Sequence, residues 1–206
     1  MSKYRQLILL IAVFYASPLL SQSEWTREAK EFQKTLNEEY KDLKNSPLRD
    51  SVRIVNFKGH EFFEISENYR VKAKLIKATK PDTIKIMTSS GRIKNYDKYA
   101  KALFEIDGQE YSLTLYQSHR LRAMDQYKDY LFLPYKDHTN GIESYGGGRY
   151  IDLRIPEGDE IIIDFNQSYN PLCAYSDGYS CPIPPEENHL EREIRAGVKY
   201  KEKEDH

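Results

Sequence analysis

Asp137, Asp164 and Cys173 are the residues whose types could do chemistry, with Arg149 beside them. Two carboxylates could share general acid and base work, as in glycoside hydrolysis, and a thiol could serve as nucleophile. Arg149 would then act as the electrophilic partner. No signature supports this hydrolase-like reading. The sequence has no Gly-x-Ser-x-Gly elbow, no His-Glu-x-x-His pair and no dinucleotide fingerprint. No cofactor is implied, and the catalytic assignment stays open.

The leading reading is binding of a small polar or anionic ligand. Gly146, Gly147 and Gly148 can turn several backbone N–H groups toward an anion, with the Arg149 guanidinium as a fork for carboxylate or phosphate. The run lacks the Gly-Lys-Ser/Thr ending of a nucleotide-phosphate loop, and it would equally make a tight bend into the next strand. Tyr is the compositional outlier, with 17 against 8 Phe and 1 Trp, and Tyr145, Tyr150, Tyr169 and Tyr175 crowd this region. A Tyr ring offers an apolar face and a hydroxyl, which suits a ligand pocket as well as the rim of a small β fold. The ligand-binding candidates are Tyr145, Gly146, Gly147, Gly148, Arg149, Asp164, Asn166, Tyr169 and Asn170. Asp164 ends an apolar run, where a buried acid needs a partner, and Arg149 is the expected one. Asp137 stands before His138, Thr139 and Asn140, an arrangement that suits a turn in which its carboxylate accepts a backbone N–H.

Cys173 and Cys181 are the only two cysteines. In an oxidising compartment a disulfide is the default, and a loop this short contributes on the order of 2.5 kcal/mol. A thiol or metal site at the pair is the alternative, although the spacing does not match a short zinc knuckle and no metal is assigned.

Three strings carry a resemblance. They are Pro134 to Tyr150 (PYKDHTNGIESYGGGRY), Asp164 to Tyr175 (DFNQSYNPLCAY) and Cys181 to Asn188 (CPIPPEEN). They resemble the blocks of the DUF1684 family, an uncharacterised bacterial and archaeal family, and Ala196 to Lys199 is similar to its ending. Val198 stands where the family is expected to carry an acid, and His189 is unusual. The resemblance spans about residues 25–200 and brings no activity with it. It implies a single conserved pocket-like design. Many relatives lack an export signal, which bears on whether the cysteines pair.

The elements that must position these residues are mostly strands. Trp25, Ala29, Phe32, Leu36, Tyr40 and Leu43 recur at helical steps, so an amphipathic helix runs from Glu24 until Asn45-Ser-Pro stops it. Ser23 could cap it. Alternation then marks strands near 71–76, 84–87, 102–106, 111–115, 130–133 and 150–155, with Asp107-Gly108 as a hairpin turn. Ile161-Ile-Ile reads as a central strand, and Arg192 to Val198 as the last one. No helix alternates with the strands. The fold class is mainly β, an antiparallel barrel or sandwich, with the N-terminal helix packed on it.

Residues 1–23 read as a signal peptide. Lys3 and Arg5 precede an apolar run from Leu7 to Leu20, shorter than the roughly 20 residues of a spanning helix. Cleavage is expected after Ser23, or after Ser21, giving a secreted or periplasmic protein with no stable membrane span. Residues 24–200 then form a single domain, and 201–206 a charged tail. Basic and acidic residues balance at 31 and 32, and losing Lys3 and Arg5 tilts the remainder acidic. That balance excludes a basic nucleic-acid footprint.

Overall fold

The computed structural model describes residues 23–200. Residues 1–22 of the leader and the charged tail lie outside the described residues. Helix α1 spans Glu24–Lys41 and α2 spans Ser51–Asn56. Strands follow as β1 Arg70–Met87, β2 Ile93–Ile106 and β3 Gln109–Ser118, then β4 Tyr130–Tyr135, β5 Arg149–Arg154 and β6 Glu160–Asp164. Neighbours pair antiparallel in the order β5-β4-β3-β2-β1-β6, one sheet curled into a half-barrel. The fold is mainly antiparallel β with an N-terminal helix, as the sequence predicts. Ser23 occupies the cap position of α1, but its side chain bonds Thr26 Oγ1 at 2.7 Å rather than a backbone N–H.

Two stretches read separately in the sequence are one strand. β1 runs unbroken through both, and its pairing with β2 slips between Lys77 and Asp82. A second slip sits in β2, where Lys98 faces Tyr116 and Ala100 faces Leu115. The extra residue reverses which side chains point to which face. Ala100, Ala102, Phe104 and Ile106 therefore join the main core, while Tyr96 packs in a second cluster with Ile86, Tyr116, Phe132 and Tyr150. One long hairpin thus serves two apolar layers.

β6 is not central. It lies at the edge beside β1, with Ile161 and Ile163 in the core and Ile162 turned outward. An unbroken apolar run signals burial on both faces, but here Ile162 remains partly exposed. The expected last strand, Arg192 to Val198, is also corrected. Ile194, Ala196 and Val198 are fully buried in alternation, which is why the segment reads as a strand. Its backbone bonds to side chains and loops instead of a ladder. Ile194 and Ala196 give their carbonyls to Arg149, and the Gly197 carbonyl accepts from Phe63 N–H. This strap packs Ile194 and Ala196 into the main core beneath the sheet.

Polar side chains from the first and third sequence blocks hold the strap and the neighbouring strands. Arg149 and Asp137 form an ion pair at 2.7 Å with both side chains fully buried. The other Asp137 oxygen accepts from Thr139 N–H at 2.9 Å, Thr139 hydroxyl at 2.6 Å and Ile194 N–H at 3.2 Å. The predicted turn around Asp137 is present. Asn188 lies between β3 and β4, accepting from Thr114 N–H and donating to the Thr114 and Pro134 carbonyls. Its amide does the work of a missing stretch of ladder, since β3 and β4 pair only at Tyr116 and Phe132.

Candidate functional site

His60 is the side chain around which the candidate site is built. Gly59 precedes it at φ +114°, a conformation that favours glycine, and brings the chain against α1. There the His60 backbone N–H donates to Asn37 Oδ1 at 2.7 Å, which fixes the Asn37 amide with its oxygen facing inward. The same oxygen stands 2.9 Å from His60 Nδ1. An oxygen can only accept, so the imidazole proton sits on Nδ1, and Nε2 keeps a lone pair. Tyr40, Phe57 and Tyr175 pack edge-on around the ring at 4.4, 4.9 and 5.1 Å. Burial among them lowers the His60 pKa to about 4, so the ring is neutral at physiological pH.

A cavity of about 210 Å³ opens beside this ring, lined by Phe57, Gly59, His60, Glu61, Tyr175, Lys199 and Tyr200. It is smaller than the roughly 300–1,000 Å³ of a drug-sized pocket and suits a small ligand. Asn170 sits behind Tyr175, almost wholly buried. Its Nδ2 donates to the Tyr175 hydroxyl at 2.7 Å and faces the Lys199 carbonyl at 3.5 Å, while its Oδ1 finds no partner among the described residues. Because the Tyr175 oxygen accepts from Asn170, the Tyr175 proton remains available to another acceptor. Lys199 runs over the Phe63 ring, with Nζ 4.9 Å from its centroid. The residues lining the cavity thus include a hydroxyl with a free proton at Tyr175, an ammonium at Lys199 and an imidazole lone pair at His60. Glu61 adds a carboxylate to the lining.

The loop carrying Tyr175 is anchored at several points. Cys173 and Cys181 form a disulfide across it. Ser89 accepts from Cys181 N–H at 3.2 Å, and Ser176 hydroxyl donates to the Leu48 carbonyl at 2.8 Å. Tyr200 hydroxyl donates to the Ala174 carbonyl at 2.8 Å.

The family model described as Protein of unknown function (DUF1684) matches residues 55–199. The chain belongs to the DUF1684 family. Among curated proteins none matches. The chain is similar to an uncharacterized protein of Haloarcula marismortui, known from a solution NMR structure. The two are 33% identical, with a TM-score of 0.64 over 85% of this chain and 94% of that one. Within the DUF1684 match lie His60, Tyr175 and Lys199, while Asn37 and Tyr40 come from the helix ahead of it.

The residues singled out in the sequence fall into three places. Asn170 stands behind the cavity, and Tyr145 borders it through an edge contact with Tyr200 at 5.2 Å. Tyr169 lies on the opposite side, exchanging backbone hydrogen bonds with Tyr150. The remainder hold the fold. Arg149 does not pair with Asp164, contrary to expectation: residues 149 and 164 end strands at opposite edges of the sheet, and Arg149 points into the strap. Asp164 instead caps the following turn, accepting from Asn166 N–H at 3.0 Å and Asn166 Nδ2 at 2.7 Å. Asn166 in turn bonds both the N–H and the carbonyl of Ser66. Gly146, Gly147 and Gly148 form the bend into β5. Gly148 sits at φ +90°, where an added Cβ would lie 2.7 Å from the Tyr135 carbonyl and from Pro184. Asp137, Asp164 and Cys173 do not converge on one cavity. Among the described residues no group of His, Cys, Asp and Glu is arranged to hold a metal ion, and no helix is long and apolar enough to cross a membrane.

His60, Asn37 and Lys199 escaped the sequence reading as site residues. The available signal was Gly59 next to a histidine flanked by Phe57, Phe62 and Phe63. A glycine there allows close approach, and an aromatic surround neutralises a histidine.

Proposed function

We propose that this DUF1684 protein is a binding domain for a small polar ligand with an anionic group, held in the cavity between His60, Tyr175 and Lys199. The observation that carries the reading is a neutral histidine, a tyrosine with a free hydroxyl proton and a lysine lining one aromatic-walled cavity. A carboxylate on the ligand would take the Lys199 ammonium and the Tyr175 hydroxyl. A hydroxyl or amine at its other end would donate to His60 Nε2. Glu61 beside the same opening favours a ligand of low net charge, such as a hydroxy acid or an amino acid, over a polyanion. We further place the protein outside the cytoplasm, in the periplasm or secreted. The supports are the leader pattern before Ser23 and the paired cysteines.

Calorimetric titration with lactate, alanine and acetate tests the site. Lactate or alanine should bind saturably, acetate more weakly for want of a donor to His60, and Lys199→Met should reduce affinity by about tenfold. Equal weak heats for all three probes, unchanged in Lys199→Met, would overturn the reading.

A further inference from the structure

The outer face of the sheet carries a second constellation, far from the cavity in chemistry. Asp152 projects from β5 on the same face as Tyr150 and opposite Phe132 of β4. The hydroxyls of Tyr130 and Tyr169 both donate to Asp152 Oδ1, each at 2.7 Å. No donor reaches Asp152 Oδ2, and no cation pairs with this carboxylate among the described residues. The near candidate, Arg154, is engaged with Asp129 at 2.7 Å and with the Gln126 carbonyl. Asp152 is exposed at its outer edge. Yet burial is the leading influence on its carboxyl and holds the pKa above the usual range, outweighing both tyrosines and Arg154. The half-buried rings of Tyr130 and Tyr169 flank it and pack on a buried aromatic cluster. Tyr150 and Phe132 meet edge-on at 4.7 Å, and Tyr150 and Tyr169 at 5.9 Å.

Each tyrosine proton is committed to Oδ1, so what the cluster offers is a set of acceptors. They are Asp152 Oδ2 with both lone pairs and the oxygens of Tyr130 and Tyr169. A sugar hydroxyl or a carboxylate would bring oxygens that need donors, and the cluster has none to give. A primary ammonium brings three N–H donors and a full charge, and its carbon stem can lie on the aromatic faces. We propose that Asp152, Tyr130 and Tyr169 form a binding site for a primary alkylammonium group. The site is separate from the cavity at His60 and does not depend on its function.

Titration of the full-length protein with n-butylammonium, followed by NMR of the Asp152 carboxyl and the Tyr130 and Tyr169 rings, tests this. Tetramethylammonium, which has no N–H, and sodium chloride serve as controls. Saturable shifts are expected with n-butylammonium, about tenfold weaker with tetramethylammonium and about tenfold weaker in Asp152→Asn. Tyr130→Phe, which keeps the ring and the carboxylate, should lose about threefold and covers the case in which Asp152→Asn does not fold. In the unmodified protein the Asp152 pKa should fall when n-butylammonium is present. Equal responses to n-butylammonium and sodium chloride, or an Asp152 pKa unmoved by the amine, would overturn the proposal.

Discussion

Asp137 and Arg149 meet at 2.7 Å with neither side chain exposed to water, and between them they satisfy three backbone groups of the strap at Ile194 and Ala196. The two most chemically suggestive residues of the glycine-rich block thus act as a surrogate strand edge. A buried pair is costly to form and far costlier to halve.

Arg149→Met should therefore destabilise the protein by about 3–5 kcal/mol, because the Asp137 charge is left buried without its partner. Arg149→Lys should recover little, since an ammonium cannot reach the carboxylate and two carbonyls in one plane. Urea unfolding midpoints of the three proteins measure both effects.

The His60 shift carries a pH dependence of stability. Its folded pKa, about 4, lies below the value near 6.5 of an exposed histidine. As pH falls below 6.5 the unfolded chain takes up this proton first. The contribution is thus complete above about 6.5 and is lost as pH drops toward 4, on the order of 2 kcal/mol after allowing for partial exposure. Thermal melts from pH 7 to pH 4 should show the decline, and His60→Phe should flatten it.

Reducing the Cys173–Cys181 disulfide frees the loop that carries Tyr175. Cys173→Ser with Cys181→Ser should cost about 2–3 kcal/mol and weaken ligand binding at the cavity, while leaving binding at Asp152 unchanged. Parallel titrations of both sites in the double variant separate a local loosening from general unfolding.

Tyr175→Phe keeps the ring that packs on Tyr40 and His60 and removes only the hydroxyl between Asn170 and the cavity. Affinity for a small hydroxy acid should fall about fivefold to tenfold with a smaller change in stability. Titration calorimetry and a melting curve on the same sample read the two quantities.

The class of fold was legible because alternation and the Asp107-Gly108 turn report backbone geometry directly. Strand placement was not. Ile161 to Ile163 looks central because composition cannot tell a covered face from an exposed edge. Ile194 to Val198 looks like a strand because alternate burial is its signature, whether a ladder or an arginine satisfies the backbone. The polar block residues were visible as unusual, but a side chain that binds backbone and one that binds ligand are the same residue types in sequence. His60 and Asn37 stand 23 residues apart on a helix and a loop, and no local pattern joins them. Asp152 is one acid in an alternating strand, and only the sheet brings Tyr130 and Tyr169 to it.

The most direct measurement is nitrogen-15 NMR of the His60 imidazole, with and without lactate, in the intact protein. A neutral ring at pH 7 with its proton on Nδ1 is expected, with an Nε2 resonance that moves saturably as lactate donates to it. A ring protonated at pH 7, or an Nε2 signal unmoved at saturating lactate and alanine alike, would contradict the proposed site.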